Sequence, residues 1–510
     1  MAGRRSKLKK VILKIDTERK KSRIAPEIYG QFSEHLGRCI YEGIYVGEDS
    51  KVPNVHGMRT DVVEALRKIK LPVLRWPGGC FADEYHWKDG IGPKEERKSI
   101  VNKNWGGVVE TNHFGTHEFM ELCQQIGFEP YIALNMGSGT VQEAADWIEY
   151  MTFDGESDLT FQRQKNGREK PWKLKYLGVG NESWGCGGSM RPEFYADTYR
   201  RFRTFCRDMG GNQLFPIACG PNADDYHWTD VIMPLIKDHT KAVSLHYYTL
   251  PTGNWEHKGS ATEFDEKEYY QTIRETLKME EIVSRHLKIM DYHDPKQQVG
   301  LIVDEWGTWY DVEPGTNPGF LYQQNTMRDA IVAAINLNLF NQHSDRIIMA
   351  NIAQVVNVLQ AMILTEGMEI IKTPTYEVFD MFQNHQGAVL VDSVIDQEID
   401  EIDGMEVPVL SESVSVSGEG AEKQVTITLS NASLCDDYRV TVQLPINQEF
   451  AGQAEIALLT GDVHAHNTFE EPENVTQKQS GETWDGHQAE VLLPACAVMR
   501  IVCPVRKKGL

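Results

Sequence analysis

The sequence predicts an α/β chain: a (β/α)8 barrel followed by a β-sandwich that also takes in the N-terminal strand. Three observations point there. Between about Ile24 and Gln360 short apolar runs alternate with amphipathic stretches, the pattern of repeated strand–helix units. Two of those runs, Tyr176-Leu-Gly-Val-Gly-Asn-Glu182 and Gly300-Leu-Ile-Val-Asp-Glu305-Trp, end abruptly in a carboxylate, as strands do at the mouth of a barrel enzyme. After about Gly387 the texture changes to period-two alternation broken by Gly, Asn and Asp.

Each element follows from its own residues. Leu8–Asp16 alternates apolar and basic side chains, which suits a sheet with one buried face, so residues 1–20 are expected to add a strand to the sandwich. Residues 21–385 should form the barrel. Its eight candidate strands are Ile28–Phe32, Val73–Trp76, Pro130–Leu134, Lys175–Gly180, Phe215–Cys219, Ala242–Leu245, Gly300–Val303 and Arg346–Ala350. Helices are legible at Phe119–Ile126 and over Arg191–Met209, where Pro192 takes a favoured first-turn position. Residues 386–510 are read as the sandwich, with Ser413-Val-Ser-Val-Ser, Gln424-Val-Thr-Ile-Thr-Leu, Tyr438-Arg-Val-Thr-Val-Gln-Leu, Ala489-Glu-Val-Leu-Leu-Pro and Val498-Met-Arg-Ile-Val-Cys as strands.

Length and charge narrow the function. At 510 residues the chain exceeds one ordinary core, in keeping with a large domain and a smaller one. A net charge of -22 repels nucleic acid and anionic membranes and favours a neutral substrate. Arg4, Arg5, Lys7, Lys9 and Lys10 precede only Val11-Ile12-Leu13, too short for a signal-peptide core. No run approaches the ~18 apolar residues of a membrane helix. The nine cysteines are odd in number and scattered, without a repeated Cys-x-x-Cys, so the expectation is a protein of the reducing cytoplasm.

Glu182 and Glu305 end candidate strands four and seven, which face each other across the barrel mouth. A pair so placed can flank one glycosidic bond, one carboxyl protonating the leaving oxygen while the other attacks or activates water. The plainer alternative is that either glutamate is a solvated or salt-bridged loop residue.

Leu-Gly-Val-Gly-Asn-Glu and Val-Asp-Glu-Trp resemble the acid/base and nucleophile motifs of clan A glycoside hydrolases. Tyr29-Gly-Gln-Phe-Ser-Glu34-His-Leu-Gly-Arg, Arg75-Trp-Pro-Gly-Gly-Cys-Phe, Gly90-Ile-Gly-Pro and Gln354-Val-Val-Asn-Val resemble family 51 α-L-arabinofuranosidases, in the right order across nearly the whole chain. The resemblance implies a retaining double displacement, with Glu305 as nucleophile and Glu182 as general acid and then base, their carboxyls ~5–5.5 Å apart. It further implies that Asn181 bonds the sugar 2-hydroxyl, that His246 and Tyr248 stand near the nucleophile with Tyr248 donating to it, and that Glu34 and Gln354 grip furanose hydroxyls. A structural ion pair of Glu34 with Arg38 or Arg75 is the competing expectation. Arg75 is read as an organiser of acidic side chains rather than a direct ligand, and Trp105 and Trp309 as apolar walls or else core. The pattern departs at Cys80, where the family carries Asn after Pro-Gly-Gly; a thiol makes that sugar hydrogen bond poorly.

Motifs of other chemistries are missing from the sequence. It holds no Walker loop, Rossmann fingerprint, Gly-x-Ser-x-Gly or His-Glu-x-x-His, so neither a nucleotide cofactor nor a metal is expected, and His113 and His117 are read as loop and helix-start residues. The expected partner is an arabinose-containing oligosaccharide, with a hexamer implied by the resemblance. Rival readings are a β-xylosidase or endo-glucanase on the same scaffold, or a sugar-binding protein without catalysis.

Overall fold

This computed structural model describes residues 7–508 apart from positions 398 and 403 and the side chains at 405 and 421. Arg4 and Arg5 lie outside the described residues.

Eight parallel strands close a barrel: Gly30–Phe32, Val73–Trp76, Glu129–Leu134, Tyr176–Val179, Phe215–Ala218, Ala242–Thr249, Gly300–Thr308 and Ile347–Ala353. The eighth returns to the first through Asn351↔Gly30, Ile352↔Gln31 and Ala353↔Phe32. Every apolar run singled out in the sequence supplies one of these strands, but the ends differ. The first begins late because Pro26 starts a 3-10 turn over Pro26–Tyr29. The sixth and seventh run on past Leu245 and Val303 to Thr249 and Thr308. Their pairing slips on the way: Leu245 faces Val303, yet His246 faces Glu305, leaving Asp304 as the extra residue of a bulge. Strict alternation would turn consecutive side chains to opposite faces; the bulge lets Asp304 and Glu305 both reach the barrel interior.

The helix read over Arg191–Met209 spans Pro192–Phe205, stopping where Cys206 takes an extended backbone. Helix Met327–Gln342 is buried along nearly its whole length, wedged between barrel and sheet. Its alanines allow close approach, and two of its asparagines are matched: Asn341 Nδ2 donates to Ser413 Oγ at 3.0 Å and Asn338 Nδ2 to Ser411 Oγ at 2.9 Å, while Tyr29 donates to Asn341 Oδ1 at 3.0 Å.

The remaining large sheet has nine strands. Leu8–Arg23 lies inside it, parallel to Asp437–Gln443 on one side and antiparallel to Val389–Ile395 on the other. The strands at its two extremes, Lys478–Gly486 and Gln488–Leu493, are separated in sequence by His487 alone. A sheet whose first and last strands are neighbours in the chain must curl over on itself, and this folding makes the two layers of the sandwich. Gln448–Thr460 and Lys478–Gly486 were not singled out in the sequence. The former is bulged between Phe450 and Glu455, and the latter is an almost wholly exposed edge strand with no apolar alternation to read.

Asn341→Ala removes the acceptor of the buried Tyr29 hydroxyl and is expected to lower stability by about 1–3 kcal/mol in urea denaturation. An unchanged midpoint would show that this polar seam does not hold the helix in place.

Candidate active site

The site is assembled over one buried cation. Arg75, on the second barrel strand, is 1% exposed and rests on the Phe32 ring, its guanidinium carbon 4.5 Å from the ring centre. Nη1 donates to Glu305 Oε1 at 2.7 Å, Nη2 donates to Asn181 Oδ1, and Nε lies 3.4 Å from Asp304 Oδ2. Asp304 also accepts from Tyr131 and from Asn351, each at 2.8 Å. Because an unpaired charge this deep would be prohibitive, the guanidinium forces strands two, four and seven into one arrangement.

Glu182 follows the fourth strand through a sharp corner. The strand stops at Val179, Gly180 takes φ 91°, and Glu182 itself takes φ 39°, a left-handed backbone that costs a non-glycine residue about 1–3 kcal/mol. The corner is held by the Gly185 and Gly187 amides, which donate to the Glu182 carbonyl at 2.7 and 3.1 Å. His246 Nδ1 stands 2.9 Å from Glu182 Oε1 and 3.5 Å from Glu305 Oε2. One oxygen of each glutamate and a ring nitrogen of His246 lie within 4.8 Å of one another. Tyr248 donates to Glu305 Oε2 at 2.7 Å.

A narrow pocket opens between these carboxylates, lined among others by Glu34, Cys80, Trp105, Glu182, Tyr248, Glu305, Trp309 and Gln354. Arg75, Asn181 and His246 stand behind it. Glu34 Oε1 accepts from the amides of Gly79 (3.0 Å) and Phe81 (2.9 Å) and from Trp105 Nε1 (2.9 Å), and its Oε2 accepts from Gln354 Nε2 (3.1 Å). The Pro-Gly-Gly motif gains its reason here: a Cβ on Gly78 would lie 2.5 Å from Glu34 Cγ, and one on Gly79 would lie 3.0 Å from Glu305 Oε1. Gln354 Oε1 and Trp309 Nε1 are buried without a protein partner.

Two buried carboxyls that line the pocket are tuned oppositely. Burial pushes Glu34 up to about 7, outweighing its amide donors. Burial also acts to raise Glu305, but the charges of His246 and Arg75 and the hydrogen bonds from Arg75 and Tyr248 outweigh it and hold that carboxyl below its ordinary range. His246 is raised: burial disfavours its charge, and Glu305 together with the bond to Glu182 more than restores it.

Three sequence expectations change. Cys80 is no thiol: it is disulfide-bonded to Cys186, because the turn after strand two and the loop after strand four meet at the pocket mouth. The ion pair of Glu34 with Arg38 or Arg75, the competing reading of that glutamate, does not form among the described residues; Arg38 donates to the Thr365 carbonyl and lies 3.9 Å from Glu42, while Arg75 is engaged with Asp304 and Glu305. Trp105 is more than an apolar wall, since its indole nitrogen fixes Glu34. Sequence reasoning missed Cys186, for which the odd and scattered cysteines offered no signal. It also missed Asp83, whose Oδ1 accepts from the Met136 and Gly137 amides at 2.9 and 2.7 Å and pins the turn that carries Cys80.

Two family models match the chain, the α-L-arabinofuranosidase 1 domain over residues 65–272 and the α-L-arabinofuranosidase C-terminal domain over residues 304–497. An intracellular exo-α-L-arabinofuranosidase of Bacteroides ovatus is 51% identical over 465 residues, covering 91% of this chain and 90% of that protein. The chain belongs to glycoside hydrolase family 51. Among solved members, the family 51 arabinofuranosidase from Xanthomonas axonopodis pv. citri superposes with a TM-score of 0.94 at 43% identity, covering 97% of this chain and all of that one. The arabinose complex of the Thermotoga maritima α-L-arabinofuranosidase does so with a TM-score of 0.83 at 32% identity, over 96% and 99%. In this family 51 chain one matched segment carries Arg75, Cys80, Asn181, Glu182, His246 and Tyr248 and the other Glu305, Trp309 and Gln354; Glu34 precedes both.

Tyr248→Phe deletes a hydrogen bond that favours ionised Glu305, so the Glu305 carboxyl should move up and the acid limb of the activity profile should shift to higher pH. A limb that stays in place would show that the hydroxyl does not tune this carboxylate.

Proposed function

We propose that this chain is a retaining, exo-acting α-L-arabinofuranosidase of the cytoplasm that removes terminal non-reducing arabinofuranosyl residues from arabino-oligosaccharides or arabinoxylan fragments. The observation that carries the reading is the convergence of Glu182 and Glu305, with oxygens within 4.8 Å of each other, on one pocket. An approach this close supports a double displacement, for which carboxyls stand ~5–5.5 Å apart, over inversion, for which they stand ~6.5–9.5 Å apart.

Glu305, held ionised by Arg75, Tyr248 and His246, attacks the anomeric carbon while Glu182 delivers its proton to the departing glycosidic oxygen. The arabinosyl ester on Glu305 is then cleaved by water, whose proton Glu182 takes back. The two glutamates suit these roles because one is buried against a guanidinium while the other sits at the half-exposed mouth, in reach of leaving group and water. Glu34, Gln354 and Trp309 bind the furanose hydroxyls; the unmatched Gln354 Oε1 and Trp309 Nε1 leave one acceptor and one donor for them. Asn181, held by Arg75, addresses the 2-hydroxyl. An exo action follows from the narrow pocket between Trp105 and Trp309, which suits one terminal residue. No helix among the described residues is long and apolar enough to cross a membrane, and the Bacteroides relative is named intracellular. A hexameric assembly rests on family resemblance alone.

Aryl α-L-arabinofuranoside should be hydrolysed in clear preference to aryl β-xyloside and β-glucan, with proton NMR showing the α-anomer as first product; a β-anomer would replace retention with inversion. Glu305→Ala should abolish turnover yet keep arabinose binding, whereas Glu182→Ala should lose about 10²–10⁴-fold on substrates with poor leaving groups, and on activated aryl substrates azide should restore its turnover by opening the glycosyl-enzyme in place of water. Undiminished hydrolysis in either variant would overturn that residue's role.

A further inference from the structure

We propose that the reduced mouth of this pocket is a binding site for a thiophilic divalent cation, with the sulfurs of Cys80 and Cys186 and the carboxylate of Glu182 as its ligands. The site goes beyond the hydrolytic reading; only its effect on turnover rests on Glu182 being the acid/base.

One ligand atom of each of these three residues lies within 4.8 Å of the other two. Cys186 Sγ is 3.6 Å from Glu182 Oε2, a contact and not a donated hydrogen bond while the sulfur is in a disulfide. The loops carrying them are anchored independently of the sulfur–sulfur bond. Cys80 opens the 3-10 turn Cys80–Glu84, which Asp83 ties to the Met136 and Gly137 amides. The loop bearing Cys186 is closed by the Gly185 and Gly187 amides on the Glu182 carbonyl and by the Met190 amide on the Ser183 carbonyl at 2.7 Å. Breaking the disulfide therefore leaves both sulfurs beside the carboxylate.

The position is also open. Cys186 is exposed and Cys80 half-buried, whereas Cys39, Cys123, Cys206, Cys219, Cys496 and Cys503 are buried, and Cys435 is partly buried with Sγ 3.6 Å from Asp436 Oδ1. Two thiolates and one carboxylate are a donor set that Zn²⁺ favours, and three protein ligands leave the fourth tetrahedral position to solvent. Ligands at about 2.0–2.3 Å from one tetrahedral ion stand roughly 3.3–3.8 Å apart, so the bonded sulfurs must part, while the 3.6 Å between Cys186 Sγ and Glu182 Oε2 already suits a shared ion.

The chemistry balances. A phosphine, with water supplying the oxygen of its oxide and both thiol hydrogens, or a dithiol, which gives its own two hydrogens and closes to a disulfide, delivers two electrons to the sulfur–sulfur bond and leaves two thiols. Each thiol releases its proton to solvent when the cation binds, as does Glu182 if it carries one. The ion then occupies the carboxylate that must hand a proton to the leaving oxygen, and hydrolysis stops until it is removed.

The test uses the full-length protein dialysed against ZnCl₂ in three states: oxidised, phosphine-reduced, and phosphine-reduced then alkylated with iodoacetamide. The reduced protein should take up one more Zn²⁺ per chain than the other two, and its arabinofuranoside turnover should fall at least tenfold with zinc and return with EDTA. Phosphine-treated Cys186→Ser should lack the extra ion, and the alkylated wild type gives the same answer should that variant not fold. Equal uptake in the oxidised and reduced states, or uptake that survives alkylation or the Cys186→Ser change, overturns the proposal. Zinc bound as expected with undiminished turnover leaves the site standing and counts against Glu182 as the acid.

Discussion

The buried guanidinium of Arg75 is the constraint on which the rest of the mouth depends. A cation 1% exposed must be neutralised and hydrogen-bonded where it sits, and its neighbours are drawn from strands far apart in sequence: Asn181, Asp304 and Glu305 directly, Tyr131 and Asn351 through Asp304. Each partner is itself buried, so none can leave without stranding another. The result is a Glu305 carboxylate fixed in orientation and held ionised before any sugar arrives, which is the preorganisation that charge development in a transition state rewards.

Above this buried floor stands a more exposed upper tier. Glu182 is reached through a left-handed corner and a short loop, and its surroundings are His246 on one side and the Cys80–Cys186 pair on the other. His246 spans both tiers, close enough to each glutamate to feel either charge. The guanidinium charge favours an anion at Glu305 against the effect of burial, while the half-exposed Glu182 carboxyl lies in reach of solvent. The two members of the pair thus differ by environment rather than by residue type.

The framework keeps that geometry because the parts of the chain are bound to one another. The N-terminal strand lies within the C-terminal sheet, and helix Met327–Gln342, which leads into the eighth barrel strand, is sheathed by both bodies. His385, with both ring nitrogens bonded to Ser415 and Thr428 hydroxyls and pushed by burial down to about 3, belongs to the same polar seam. The matched hydroxyls and amides of this seam let polar side chains lie where an apolar face would otherwise be needed.

Much of this was legible in the residues alone. Apolar runs locate all eight barrel strands, because burial of a short strand on both faces leaves a local signature. Carboxylates at the ends of two runs mark the candidate pair, and Phe-Ser-Glu34-His and Pro-Gly-Gly mark its neighbours. What only the tertiary structure decided are the relations between distant segments: the bulge that turns both Asp304 and Glu305 inward, the joining of Cys80 to Cys186, the donors gathered round Glu34, and the curl that makes a sandwich of one sheet. Local pattern records which face of an element is dry. It carries no record of which loop, folded back from a hundred residues away, will meet it there, because that choice is made by the closing of the barrel and the pairing of buried charge.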